Sequence, residues 1–162
     1  MNEKYEMAES IVKNIKKNDI FSWKEIVDIY LQYSKIELII DLIPILGNGS
    51  ENKAHYIFYE RILASLLKNK SDLFCACITK WPKSCYNSCE IIKLINSSNI
   101  DCNDKEILSA KAFLHSQNKD YIEALNILIS LKEPKALELI VQHKLFSRFK
   151  LYLIDLIEIN AH

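Results

Sequence analysis

The chain is 162 residues long and 49% apolar, with 21 basic residues balanced by 21 acidic ones. A net charge of zero supplies no long-range field to gather nucleic acid or anionic lipid, and with so much apolar content disorder is not the default. Two glycines and three prolines are too few turn formers for a sheet protein, so composition predicts an all-helical fold around one core.

The polar opening Asn2-Glu3-Lys4-Tyr5-Glu6 lacks the apolar run of a secretory signal. A first helix is predicted near Lys4 to Lys17, with Ala8, Ile11, Val12 and Ile15 on one face. Lys13, Lys16 and Lys17 cluster on it, but Glu3, Glu6 and Glu9 lie a turn or two upstream and pair with much of that charge, which reads as a solvated face. Ser22-Trp23-Lys24-Glu25 has the form of a capping box and opens a helix to about Tyr33. A short helix from Lys35 is expected to end before Pro44, whose ring pushes Ile43 out of helical geometry. Gly47-Asn48-Gly49-Ser50 then makes a linker. Without a preceding strand or a following Lys-Ser/Thr it is no phosphate cradle.

From Lys53 to Lys68, Phe58, Tyr59, Ile62, Leu63, Leu66 and Leu67 form a broad core-facing stripe. Ser71-Asp72 is read as the cap of the next helix, which must stop at Trp81-Pro82, with Trp81 expected to plug a seam. Asn87-Ser88-Cys89-Glu90 signals another start before Ile91, Ile92 and Ile95, and Asn103 or Asp104 a further one. Ala112 through Leu125 then writes out a helical hairpin of the repeat type. Small Ala112 and Ala124 let two helices approach, Asn118-Lys119-Asp120 makes the turn, and Tyr121 and Leu125 fill the space between.

Between Tyr121 and Leu131 the polar residues Glu123, Asn126 and Ser130 fall on a single narrow stripe, so most other faces of that helix must be covered. Such burial predicts a stack of hairpins: an α-solenoid of the tetratricopeptide or clathrin heavy-chain type, continuous over residues 1–162 and irregular in period. Pro134 suits the first position of the next helix, and a last helix is expected from about Ser147 to Ile159.

Cys75, Cys77, Cys85 and Cys89 fall close together without the C-x-x-C spacing of a zinc site. Cys75 and Cys77, two apart on a helix, point in nearly opposite directions. They are read as core thiols, with no metal and no cofactor. Five cysteines without an export signal suggest reduced thiols and a cytoplasmic protein. His55, His115, His143 and His162 are scattered, none beside a nucleophile motif, so no catalytic set is found and no enzyme is expected. The apolar stretches Ile36 to Leu46 and Phe149 to Ile159 are interrupted by charges, and neither can span a bilayer.

Several segments resemble a known family. Trp81-Pro82-Lys83-Ser84-Cys85-Tyr86-Asn87 with Ile91-Ile92, then Tyr121-Ile122-Glu123-Ala124-Leu125-Asn126-Ile127, Leu131-Lys132-Glu133-Pro134 and Leu139-Ile140-Val141-Gln142-His143-Lys144-Leu145-Phe146, are similar to the helical stretch of the vacuolar protein sorting-associated protein 41 family. Trp23, Pro44 and Tyr59 fit as well. The resemblance implies a non-enzymatic fragment of a HOPS tethering subunit, peripheral on the cytosolic face of late endosomes or vacuoles, whose partners are other tether subunits. Contacts with a small GTPase and with vesicle coat adaptors would lie in regions outside this segment. Another helical-repeat trafficking adaptor, or a helical-repeat RNA binder, is the alternative reading.

Leu151 and Ile154 stand apart from the arc of Phe149, Tyr152, Leu153, Leu156, Ile157 and Ile159 that should face the preceding hairpin. They are the candidate interface residues, expected to receive the next helix of a longer array.

Overall fold

The computed structural model describes residues 20–45, 53–98 and 104–160. Among them every regular element is a helix, as the scarcity of turn formers requires. The predicted helix near Lys4 to Lys17 and the Gly47 linker lie outside the described residues. The chain's contacts divide it into two compact units, Met1–Asn87 and Ser88–His162.

The first unit contains α1 (Ile20–Gln32), two short 3-10 turns (Ile36–Leu38 and Ile40–Leu42), α2 (Lys53–Asn69) and α3 (Ser71–Lys80). α2 packs on α1 and α3, and the first 3-10 turn seats against both α1 and α2. All six residues of the stripe expected on α2 are buried. Ser22 falls inside α1 rather than ahead of it, so the capping-box reading is corrected. The helix expected from Lys35 is instead a pair of 3-10 turns. Ile36, Ile39, Ile40 and Ile43 are all buried there, and the tighter 3-10 winding turns each of them inward over a short span. Ile43 is extended (φ −61°, ψ 122°), as the following proline demands. Ser71 and Asp72 occupy the first turn of α3, with Lys70 at the cap position and no side-chain cap. Trp81 leaves helical geometry ahead of Pro82 (ψ 138°) and is buried, its ring edge-on to Tyr59 at 5.2 Å.

The second unit is a run of hairpins: α4 (Ser88–Ser97), α5 (Lys105–Gln117), α6 (Tyr121–Ser130), α7 (Lys135–His143) and, after a 3-10 turn at Lys150–Tyr152, α8 (Leu153–Asn160). Each helix packs on the next. Their antiparallel order is fixed by contacts between opposite ends. Ser88 Oγ donates to Gln117 Oε1 at 3.0 Å, Lys105 Nζ meets Glu133 Oε1 at 3.0 Å, and Tyr121 stacks on His143 with ring centroids 3.7 Å apart. Asp104 caps α5, its carboxylate accepting from the Glu106 and Ile107 amides. Ala112 and Ala124 are fully buried, as the hairpin reading expects. Tyr121 departs from it: its ring is only half-buried and lies against His143 of α7.

How a chain with two glycines ends its helices is visible in the backbone. Ser34, Lys119, Lys132 and Lys144 all adopt positive φ between 53° and 63°. Each is followed by an amide that reaches back five residues: Lys35 to Tyr30, Asp120 to His115, Glu133 to Leu128 and Leu145 to Ile140. These are Schellman caps with lysine, or serine, at the left-handed position where glycine is usual. A lysine there carries the strain of a Cβ but also sets a cation beside the helix's negative end.

Candidate docking surface

Lys144, in left-handed geometry, terminates α7 and turns the chain away from it. A tight turn follows, closed by the Arg148 amide donating to the Leu145 carbonyl at 3.2 Å. Phe149 then enters the core formed by Ala112, Leu125, Leu128, Ala136, Ile140 and Leu156, and the 3-10 turn leads into α8. Phe149, Leu153 and Leu156 point inward, Leu153 only in part. Leu151 is 89% exposed, Ile154 69% and Ile157 58%. Spaced by threes, these apolar side chains line the outer side of the segment. A leucine buried there instead would bring roughly 2 kcal/mol of transfer free energy, so the strip is surface that gains by being covered.

The inward arc is narrower than the sequence suggests. Tyr152 and Ile157, assigned to it from a uniform helix, are exposed. Tyr152 lies in the 3-10 turn and Ile157 on the regular helix α8 that follows it. The side chains of Asp155, Glu158 and Ile159 lie outside the described set.

A second apolar strip escaped sequence reading. Leu38, Leu42 and Ile45 are each more than half exposed, on the outer side of the 3-10 turns. Its signal was present as apolar residues at alternating spacings of four and three, but within a run apolar at almost every position nothing told outside from inside.

The groups able to carry chemistry are held separately. Cys77 and Cys85 are buried, Cys75 is half-buried, and Cys89 is exposed, contrary to its reading as a core thiol. It lies on the first turn of α4, where Asn118 Nδ2 reaches its sulfur at 3.4 Å. Burial pushes the Cys77 thiol up to about 12, the nearby Lys80 opposing and Asp41 adding to the shift. Burial also raises Cys85, opposed by a side-chain hydrogen bond with Tyr59. Both are protonated and unreactive at neutral pH. Among the described residues no three His, Cys, Asp or Glu side chains converge as a metal site requires. His115 pairs with Asp120 at 3.0 Å across the α5–α6 turn. Asp28 meets Arg61 at 2.6 Å, a charge contact without hydrogen-bond alignment that ties α1 to α2. No described helix is long and apolar enough to cross a membrane.

Short antiparallel hairpins, closed by Schellman turns and with small Ala112 and Ala124 buried, define a helical-repeat protein of the tetratricopeptide-like class. A family model described as the Vps41 TPR-like region matches residues 1–162, and the chain belongs to that family. It is 26% identical over 158 residues to the mouse vacuolar protein sorting-associated protein 41 homolog, covering 97% of this chain and 18% of the relative. It is 29% identical to the human homolog over 65% of the chain and 12% of the relative. To the Schizosaccharomyces pombe protein of the same name the identity is 23%, over 97% of the chain and 18% of the relative. The chain thus spans less than a fifth of the length of these relatives. No solved structure matches it significantly.

Proposed function

We propose that this chain is a scaffold segment of an endosomal or vacuolar trafficking subunit, acting by holding other proteins and not by catalysis. The observation that carries the proposal is the family match over all 162 residues, joined to relatives whose names assign them to vacuolar protein sorting. The helical-repeat architecture supports it, because stacked hairpins create extended surfaces and no enclosed reaction chamber. The partners are other subunits of a HOPS-type tether, and the site of action is the cytosolic face of late endosome or vacuole membranes. Contacts with a small GTPase and with coat adaptors would fall in the much larger part of the relatives that this chain does not match.

Within that role the chain is one continuous stretch of a longer solenoid, and the strip of Leu151, Ile154 and Ile157 is its docking face for a succeeding helix. Support comes from the exposure of all three and from the greater length of the relatives. The test is reconstitution with purified tether subunits. Co-elution of this chain with at least one of them is expected. Tight, salt-dependent RNA binding without any subunit association would favour the nucleic-acid reading instead.

A further inference from the structure

We propose that Ser147 is a phosphorylation site for a serine kinase that selects basic sequences. The residue sits at the exposed turn between α7 and the 3-10 turn at Lys150–Tyr152, outside any helix, and makes no hydrogen bond to the described residues. Lys144 lies three positions before it, Arg148 one after and Lys150 three after, and all three are exposed. No acidic residue falls between Lys144 and Ile154. A substrate groove lined with carboxylates therefore meets a run of cations and no repulsion, which is how such kinases choose substrates.

Among the described residues no other hydroxyl combines these features. Ser97, Ser98 and Ser130 bond back to carbonyls of their own helices. Ser71 donates to the adjacent Asp72, whose charge repels an acidic groove. Ser34 also occupies an exposed turn, but no cation precedes it closely and Glu37 follows. Accessibility also favours Ser147. From Lys144 to Lys150 only Phe149 is buried and Leu145 half-buried, so a short local opening extends the segment without disturbing α6 or α7.

In the reaction the Ser147 Oγ attacks the γ-phosphorus of Mg-ATP. The bond to the β-phosphate oxygen breaks, ADP leaves, and the hydroxyl proton passes to the kinase's catalytic carboxylate. The product carries close to two negative charges among the three exposed cations Lys144, Arg148 and Lys150, where a dianion is favoured. The modified turn is therefore more firmly closed than the unmodified one. The inference stands whether or not the outer strip of α8 docks a partner.

The test treats the full chain with Mg-ATP and the protein kinase C catalytic domain, with an acidophilic kinase in parallel, and maps phosphate by peptide mass spectrometry. The basic-directed kinase is expected to place one phosphate, at Ser147, and Ser147→Ala to abolish it. Lys144→Gly with Arg148→Gln, in which glycine suits the left-handed position, should lower kcat/KM about tenfold while the helical circular dichroism is unchanged. Incorporation elsewhere at an undiminished rate in Ser147→Ala, or preference for the acidophilic kinase, overturns the proposal.

Discussion

The Tyr59 hydroxyl donates to the Pro44 carbonyl at 2.6 Å, fifteen residues away in sequence. This bond fastens the extended Ile43-Pro44 step onto α2, at a carbonyl that the 3-10 turns leave without a helical partner. Tyr59→Phe keeps the edge-on contact with Trp81 and removes this bond together with the hydroxyl's contact to Cys85. It is expected to lower the unfolding free energy in urea by about 1–2 kcal/mol, because the part-buried carbonyl is left without its donor. An unchanged midpoint would mean that water replaces the hydroxyl at no cost.

The lysine-capped turns make the opposite kind of prediction. Lys119, Lys132 and Lys144 hold positive φ with a Cβ present, and replacing each with glycine relieves that strain. Glycine also loosens the unfolded chain, so the net gain expected is only about 0.5–1 kcal/mol per site. The turns are separate, and the three gains should add in urea unfolding. Lys→Ala at the same sites should bring no gain, since alanine keeps the Cβ and loses the cation beside the helix end.

Much of this architecture was readable in the residues, and the failures have local causes. The α2 stripe, the Trp81-Pro82 stop, the Asp104 cap and the Ala112–Ala124 approach each rest on a short-range rule that tertiary packing did not override. Ser22 shows the limit of such a rule: a capping box is four residues of favourable chemistry, and α1 continues through it. Winding was not legible either. Nothing in Lys150-Leu151-Tyr152 announces 3-10 geometry, and the helix expected from Ser147 begins as α-helix only at Leu153. The stacking of Tyr121 on His143 joins residues on different helices and is set by packing alone.

Alkaline pH should weaken the fold through its buried thiols. In the folded chain Cys77 and Cys85 titrate above their ordinary value of 9.0, because burial disfavours the thiolate. The unfolded chain therefore releases these protons first as pH rises. The stabilisation is fully present below about pH 9 and is lost between there and the raised value of Cys77, about 12. Stability measured across that range should fall less steeply in Cys77→Ala than in the native chain. At neutral pH, Cys89 should react with a thiol reagent before Cys77 or Cys85 does.

Close approach of α5 and α6 depends on residues with no side chain beyond Cβ. Ala112 and Ala124 are both buried, and α5 and α6 pack directly on one another. Ala124→Leu is expected to cost about 1–3 kcal/mol by overpacking. Ala124→Gly should cost about 1 kcal/mol through helix propensity alone. A leucine accepted without loss would show that the two helices can separate freely.

The outer strip of α8 is tested by contrast with the core beneath it. Leu151 and Ile154 contribute almost nothing to burial in this chain, whereas Leu156, two residues beyond Ile154, is fully buried among Leu125, Leu128 and Ile140. Leu156→Ala should therefore destabilise by about 2–5 kcal/mol, the range for emptying a buried leucine site. Replacing Leu151 and Ile154 together with glutamine should shift stability by no more than about 0.5 kcal/mol, as surface substitutions do, and should raise solubility by removing apolar surface that sticks to itself. If those residues serve as a docking face, the same double variant will lose association with the helix or subunit that covers them while its own melting curve stays in place. A sharp fall in melting temperature would instead show that both side chains support the fold of this chain, and the docking assignment would fail with it.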